Sequence, residues 1–262
     1  MPSNDFPASA GPNGQVLAIL GYHKVGAPSA GAWETWYYVP EPTFVAQLSY
    51  LRDNGWSVID VATFLRGLRA PAGLPPRAAL ITFDDGYRSV LEVALPCLLR
   101  FGYPAVHFVP TDFIGGRNRF DGGAEPEEPI CDWDELRELE RQGVSVQAHG
   151  ASHRHFSKLG PAAQEEEVTR SKQVLEDGMG RPVEVFAFPY GDDGTDPQAT
   201  GRALGLAGYR AACLYKGGPN RMPAANPYRL TRLAMGPDTD LRAELGQGGR
   251  YLQAGTTGGG VP

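Results

Sequence analysis

The chain has 262 residues, 42% hydrophobic and 21% charged, enough to bury a real core in one large α/β domain or two small ones. Its formal net charge of −6 and the lack of a long basic run argue against nucleic acid as the main partner, because phosphate binding needs clustered Lys and Arg. Three widely spaced cysteines, Cys97, Cys131 and Cys213, suit neither a disulfide framework nor a thiolate zinc site and read as free, mostly buried thiols.

Residues 1–15, rich in Pro, Gly, Ser and Asn, are expected to be a flexible N-terminal segment. They carry neither the basic nor the apolar region of a secretory leader, and nowhere in the chain is there the run of roughly 20 apolar residues that a bilayer span needs. A cytoplasmic location is therefore expected. Val16–Tyr22 reads as a buried strand, followed by a loop bearing Trp33, Trp36, Tyr37 and Tyr38. Phe44, Leu48 and Leu51 recur at helical spacing, predicting a helix over 43–54 closed by Gly55. Trp56–Ile59 and Ala78–Phe83 read as strands, Arg88–Phe101 as a helix and Ala105–Val109 as a strand. After a Gly-, Pro- and acid-rich excursion over 114–130 come a helix at Asp132–Arg141, a strand at Val144–Ala148 and a helix at Pro161–Met179. A strand at Val183–Ala187, a helix over 197–204 and strands at Tyr209–Leu214 and Arg229–Ala234 complete the pattern.

Strands alternate with helices almost throughout, which implies parallel βαβ units. About seven strands suit a closed or partly closed barrel, a distorted (β/α) barrel spanning 16–246, with a loose Gly-rich tail over 247–262. In such barrels chemistry gathers at the C-terminal ends of the strands. There the sequence places His23, the pair Asp84–Asp85, His149 and Tyr190.

Three segments carry chemistry. In AALITFDDGY a hydrophobic strand runs into two adjacent carboxylates that cannot share one environment cheaply, because like charges repel. One carboxylate on a metal and the other free as a base would resolve this, although Asp-Gly is also a common turn pair. His149 and His153, four apart, can reach one cation, or they belong to a solvated loop with nearby His155. Two histidines and a carboxylate with one open position form a familiar catalytic zinc set. Finally, a strand ends in Pro189-Tyr190-Gly191, either a plain turn or a rigid corner that aims a backbone N–H at a developing oxyanion.

In this order and spacing, Thr82-Phe83-Asp84-Asp85-Gly86, His149 to His153 and Pro189-Tyr190-Gly191 resemble the polysaccharide deacetylase family, also called the NodB-homology or carbohydrate esterase family 4 group. Softer similarity in GYHKVG, in ALPCLLRFGYPAVHFVPTDFIG and in CDWDELRELERQG extends the likeness over roughly 16–235. The resemblance implies a distorted (β/α) barrel and a divalent metal, usually zinc, held by Asp85, His149 and His153. It implies Asp84 as general base and the Tyr190 N–H, set by Pro189, at the oxyanion site. The substrate class it implies is an N-acetylated sugar or glycan that loses acetate.

The sequence departs from the family pattern twice. Many members have, before the Pro-Tyr/Trp-Gly corner, an arginine that pairs with the base; here the position is Ala187. The usual late histidine that serves as general acid is missing, since no histidine follows His155. A Tyr-His segment on strand one and an arginine on the last strand instead resemble the poly-N-acetylglucosamine deacetylase-like subgroup. That likeness assigns the acid role to His23 and orientation of the base to Arg232. Competing readings are a same-family hydrolase of a non-sugar amide or cyclic imide, and a non-catalytic carbohydrate-binding barrel. A metal-free glycosidase is disfavoured because its carboxylates must flank the bond about 5 Å or more apart.

Overall fold

The computed structural model describes residues 15–245, so all but Gln15 of the expected flexible segment over 1–15, and the whole expected tail over 247–262, lie outside the described residues. Gln15 is tied down, with its side chain donating to the Leu74 carbonyl at 2.8 Å and its carbonyl accepting from Met222 N at 3.0 Å. In chain order the strands are β1 (Val16–Tyr22), β2 (Lys24–Val25), β3 (Tyr38–Val39), β4 (Ser57–Val58), β5 (Arg77–Phe83), β6 (Ala105–Val109), β7 (Val144–Ala148), β8 (Val185–Ala187), β9 (Ala211–Cys213), β10 (Asn220–Arg221) and β11 (Leu233–Ala234). The helices are α1 (Glu41–Asp53), α2 (Val61–Arg69), α3 (Leu95–Phe101), α4 (Trp133–Arg141), α5 (Pro161–Met179), α6 (Pro197–Ala207) and α7 (Leu241–Leu245).

β1, β5, β6, β7, β8 and β9 pair in parallel in that order, and the register of β1 on β5 runs from Val16 against Arg77 to Tyr22 against Phe83. These strands read as near-continuous apolar runs because both faces are covered, as parallel sheets require. The sheet curls, and the segment over 230–234 lies between its first and last parallel strands. Leu230 bridges Cys213 in parallel, while Leu233 and Ala234 pair with Leu20 and Gly21. This seventh parallel segment gives the expected distorted barrel.

Strand residues alternate between two apolar clusters, as a period of two demands. Leu17, Ile19, Ala78, Leu80, Val106, Phe108, Val185, Ala187, Ala211, Cys213 and Leu230 fill the barrel interior. Leu20, Tyr22, Ile81, Phe83, Val144, Val146 and Phe186 face outward and pack on α1, α3, α4, α5 and α6. Helix α2 contributes Phe64, Leu65 and Leu68 to the interior cluster and so closes the N-terminal end of the barrel. No helix among the described residues is long and apolar enough to cross a membrane. The three cysteines are free and buried.

Several expectations need correction. Helix α2 falls where the sequence pattern gave no element; Asp60 caps it, its carboxylate accepting from Thr63 N at 2.7 Å. The helix expected over Arg88–Phe101 is a π turn at Val90–Ala94 followed by α3. Pro96 has no N–H to donate and its ring crowds the carbonyl four residues back, which widens the turn there. The last strand forms ladder pairs only at Leu233–Ala234 instead of over Arg229–Ala234. Tyr38, grouped with the loop aromatics, is buried and donates its hydroxyl to Glu128 at 2.8 Å. Other element ends differ by one to three residues from the expected bounds.

Candidate metal centre and active site

The same alternation brings the site together. Continuing the inward positions past each strand end gives His23 after Ile19 and Gly21, Asp84 after Leu80 and Thr82, and His149 after Ser145 and Gln147. It also gives Tyr215 after Ala211 and Cys213, and Arg232 after Leu230. All lie at the end of the barrel away from α2.

The two adjacent aspartates diverge. Asp84 forms a fork-to-fork pair with Arg232, Nη1 to Oδ1 at 2.6 Å and Nη2 to Oδ2 at 2.7 Å. The Asp85 backbone turns into the left-handed region at φ 70°, so its carboxylate points elsewhere. Asp85 Oδ1 lies 3.3 Å from His149 Nε2 and 3.0 Å from His153 Nε2, and Oδ2 lies 3.9 Å from His23 Nε2.

Asp85, His149 and His153 are buried and offer ligand atoms within 4.8 Å of one another. Asp85 Oδ1, despite those close nitrogens, has no hydrogen-bond partner among the described residues, because the contacts miss hydrogen-bond geometry. Lone pairs that converge without bonding one another suit a cation. The His149 Nδ1–H faces the Ala187 carbonyl at 2.8 Å, which leaves Nε2 as the lone-pair nitrogen, as expected of a metal-ligating imidazole. The residues present therefore fit a divalent metal.

Backbone strain concentrates at this site. The non-glycine residues with positive φ among those described are Asp85 (70°), His153 (56°), Tyr190 (59°) and Lys216 (73°). Three of these four belong to the site, and each left-handed residue costs roughly 1–2 kcal/mol unless its surroundings hold it. Glu167 on α5 holds the histidine loop: its Oε2 accepts from Ala151 N at 2.7 Å and Ser152 N at 2.9 Å, and its Oε1 accepts from the Ser152 hydroxyl. Gly150 permits this approach, since a Cβ there would stand 3.1 Å from Glu167 Oε2. The His153 ring lies between Phe120 at 4.0 Å and Tyr190 at 4.8 Å.

Around the mouth, the excursion over 114–130 is clasped to the aromatic loop. Buried Lys24 pairs with Glu125 at 2.7 Å, Thr35 donates to the same carboxylate at 2.6 Å, and Ser29 N donates to Glu128 at 2.8 Å. The Tyr37 ring packs on His23 at 4.6 Å and on Trp36 at 5.7 Å. His155 stacks on Tyr190 at 3.8 Å, with Nδ1 3.3 Å from Asp192. His107 faces outward on β6 and is fully buried.

Burial alone would raise the Asp84 carboxyl, but the Arg232 guanidinium, with His149 and His23, outweighs it and holds the group below the usual carboxylate range. Asp85 experiences the same burial, overcome by His153, His149 and His23, and lies well below that range. Burial lowers the His23 imidazole, against the pull of Asp85 and Asp84. For His149 the two aspartates prevail over burial and raise it. The Asp84 and Asp85 carboxylates are thus ionised near neutrality.

Tyr215, Glu167 and Phe120 escaped the sequence reading. Tyr215 sits at a strand end like the others and parity would have found it; Glu167 and Phe120 reach the site through long-range packing that no local pattern announces. A groove of about 1090 Å³ lined by Leu68, Arg202, Leu206 and Tyr228 lies at the other end and contains none of the site residues.

The polysaccharide deacetylase family model matches residues 72–211, more than half of the chain. YxkH of Bacillus subtilis (strain 168) is 25% identical over 178 residues, 67% of this chain and 57% of that protein. The poly-beta-1,6-N-acetyl-D-glucosamine N-deacetylase of Staphylococcus aureus (strain MSSA476) is 24% identical over 164 residues, 59% of this chain and 54% of that protein. The chain thus spans little more than half the length of these curated relatives. Among solved structures, IcaB from Ammonifex degensii has a TM-score of 0.72 and 25% identity, covering 86% of this chain and 94% of that one. The Streptococcus pyogenes deacetylase PplD in complex with acetate has a TM-score of 0.73 and 21% identity over the same shares.

Proposed function

The chain belongs to the polysaccharide deacetylase family, and on that premise we propose that it is a metal-dependent hydrolase that removes N-acetyl groups from an amino sugar, its oligomer or its polymer, releasing acetate. The observation that carries the reading is the divergence of the two neighbouring carboxylates, Asp85 toward His149 and His153, and Asp84 toward Arg232.

Asp85, His149 and His153 would hold the cation, and two imidazoles with one carboxylate favour Zn2+ with an open position. When bound, the cation supplies Lewis acidity toward the amide carbonyl and lowers the pKa of water. Asp84, kept ionised and in one rotamer by Arg232, takes a proton from the attacking water as its oxygen adds to the acetyl carbon. The Tyr190 N–H, placed by Pro189 and the left-handed turn that follows it, stabilises the charge developing on the carbonyl oxygen. His23, 3.9 Å from Asp85, gives a proton to the nitrogen as the C–N bond breaks, so that acetate and a free amine leave.

The proposed substrate class is supported by the poly-N-acetylglucosamine deacetylases among the relatives and by the rim. Tyr190 is 48% exposed and Trp36 38%, and their rings suit the apolar faces of sugars. The test is acetate release from N-acetylglucosamine, its oligomers and simple amides, with metal content measured on the same sample. A metal-loaded sample that releases acetate from no N-acetylated sugar overturns the reading.

A further inference from the structure

Tyr215 occupies a position that glycines on one strand and in one corner have cleared for it. It follows Ala211 and Cys213 on the inward face of β9, two residues past the last inward strand position. At Gly191 in the Pro189–Gly191 corner, a Cβ would stand 2.5 Å from Tyr215 N and 2.8 Å from Tyr215 Cβ. At Gly21 on β1, a Cβ would stand 3.2 Å from Tyr215 Cε2. The ring so accommodated meets His23 edge-on, with centroids 5.2 Å apart and planes at 89°. Its face carries the Arg232 guanidinium at 5.4 Å, whose other side lies over Phe108 at 5.5 Å. Tyr215 therefore stands between the group proposed to donate the proton and the arginine that orients the base.

Phenylalanine would supply all of this packing. The hydroxyl that tyrosine adds is buried and has no hydrogen-bond partner among the described residues. A buried O–H left unpaired is unfavourable, and native structures pair nearly all such groups. Here the missing acceptor is best supplied by what enters the site.

Resting on the deacetylase reading, we infer that the Tyr215 hydroxyl donates a hydrogen bond to an oxygen of the reacting N-acetyl group, making Tyr215 a further substrate-contacting residue. Burial, reinforced by the nearby Asp84 carboxylate, pushes the phenol up, so it remains a donor across the working pH range.

Tyr215→Phe in the metal-loaded, full-length chain tests this with three readouts: kcat/KM for acetate release from N-acetylglucosamine oligomers, the Kd for acetate ion, and Tm. The expected result is a fall of about tenfold or more in kcat/KM, a several-fold weaker acetate Kd, and a Tm unchanged or raised, because the lost oxygen has no partner in the free protein. Unchanged kcat/KM, or a loss of activity that accompanies a lower Tm, overturns the inference. If the parent releases acetate from no N-acetylated sugar, the proposed function fails, and acetate affinity then decides Tyr215. Weaker binding by the variant supports the contact; equal binding, or no binding by the parent, overturns it.

Discussion

Arg232 and Asp84 meet through two parallel charge-assisted hydrogen bonds of 2.6 and 2.7 Å across a sequence separation of 148 residues. Both are buried, and the arginine spends its other donors on the Leu214 carbonyl at 2.7 Å and the Thr82 hydroxyl at 3.3 Å. The fork geometry of guanidinium on carboxylate explains how Ala187 is tolerated where many family members have an arginine. In the proposed mechanism the guanidinium thus reaches the base, Asp84, from the closing segment instead of from the strand before the corner.

Arg232→Met removes one partner of a buried pair, a change that typically costs about 3–5 kcal/mol of stability. It should also move the pH–rate profile. With the guanidinium present, Asp84 titrates below the ordinary carboxylate range, so base activity persists to low pH and is lost only as pH falls through that depressed value. Without it, burial dominates and the acidic limb shifts upward. Because the folded-state value is depressed, the pair's contribution to stability is full above the unfolded carboxyl value of about 3.9 and is lost as pH falls below it. Metal content should not change, since Arg232 bonds none of Asp85, His149 and His153. An acidic limb that stays in place in a folded variant would show that Arg232 does not tune Asp84.

The adjacent aspartates should separate cleanly in their phenotypes. Asp84→Asn keeps the shape and loses the basicity, so metal should remain while turnover drops by about 10²–10⁴. Ala at Asp85, His149 or His153 should lower metal content and activity together. The metal also competes with protons for these ligands. His149 is raised by the two aspartates, so metal occupancy should begin to decline at a higher pH than an ordinary imidazole ligand would give. Full occupancy in all three alanine variants, measured by elemental analysis, would refute the ligand assignment.

Glu167 should act at one remove. It touches no substrate-facing atom, yet it accepts two backbone N–H bonds from the loop joining the two histidines. Glu167→Ala should weaken metal affinity about 10–100-fold, the range for partners that orient ligands. Glu167→Gln, which keeps one acceptor oxygen, should lose less. Metal titration distinguishes this from a general loss of stability: equal metal affinity in parent and alanine variant, at equal folded fraction, would make Glu167 merely a packing residue.

Much of this was legible in the sequence because parallel strands buried on both faces announce themselves as apolar runs, and barrels place their chemistry where those runs end. The same logic extended by parity reaches Tyr215 and explains why Arg232 points inward: Leu230 lies inside, and two residues later so must the arginine. Helix α2 was missed although Val61, Phe64, Leu65 and Leu68 repeat at helical spacing, because its nine residues end in Arg66-Gly67-Leu68-Arg69 before a proline. Gly67 is required by packing: a Cβ there would stand 2.4 Å from Leu74. Tyr38 looked like a partner for Trp36 and Tyr37, but β3 pairs with β2 and turns that one ring inward over Lys24 at 4.4 Å. Contacts of this kind join positions far apart in the chain, and no local pattern encodes them.

His23 carries the last prediction. Expulsion of an amine needs a proton donor, and His149 and His153 are directed at the metal position. His107 lies on the outward face of β6, and burial pushes its imidazole down to about 4, far from a working donor. His155 is taken up by Tyr190 and Asp192. His23 remains, with Nε2 3.9 Å from Asp85 Oδ2, its ring braced by Tyr37 and Tyr215. Burial lowers its imidazole while Asp85 and Asp84 oppose the shift, so the alkaline limb that belongs to it should fall on the acid side of the ordinary histidine value of about 6.5. His23→Ala should leave metal content and fold intact, abolish that limb and reduce amide turnover by about 10²–10⁴. The loss should be smaller on an acetate ester, whose alkoxide departs more readily than an amine. Amide turnover equal to the parent's would remove the acid role from His23 and pass it to His155, whose substitution would then be the decisive measurement.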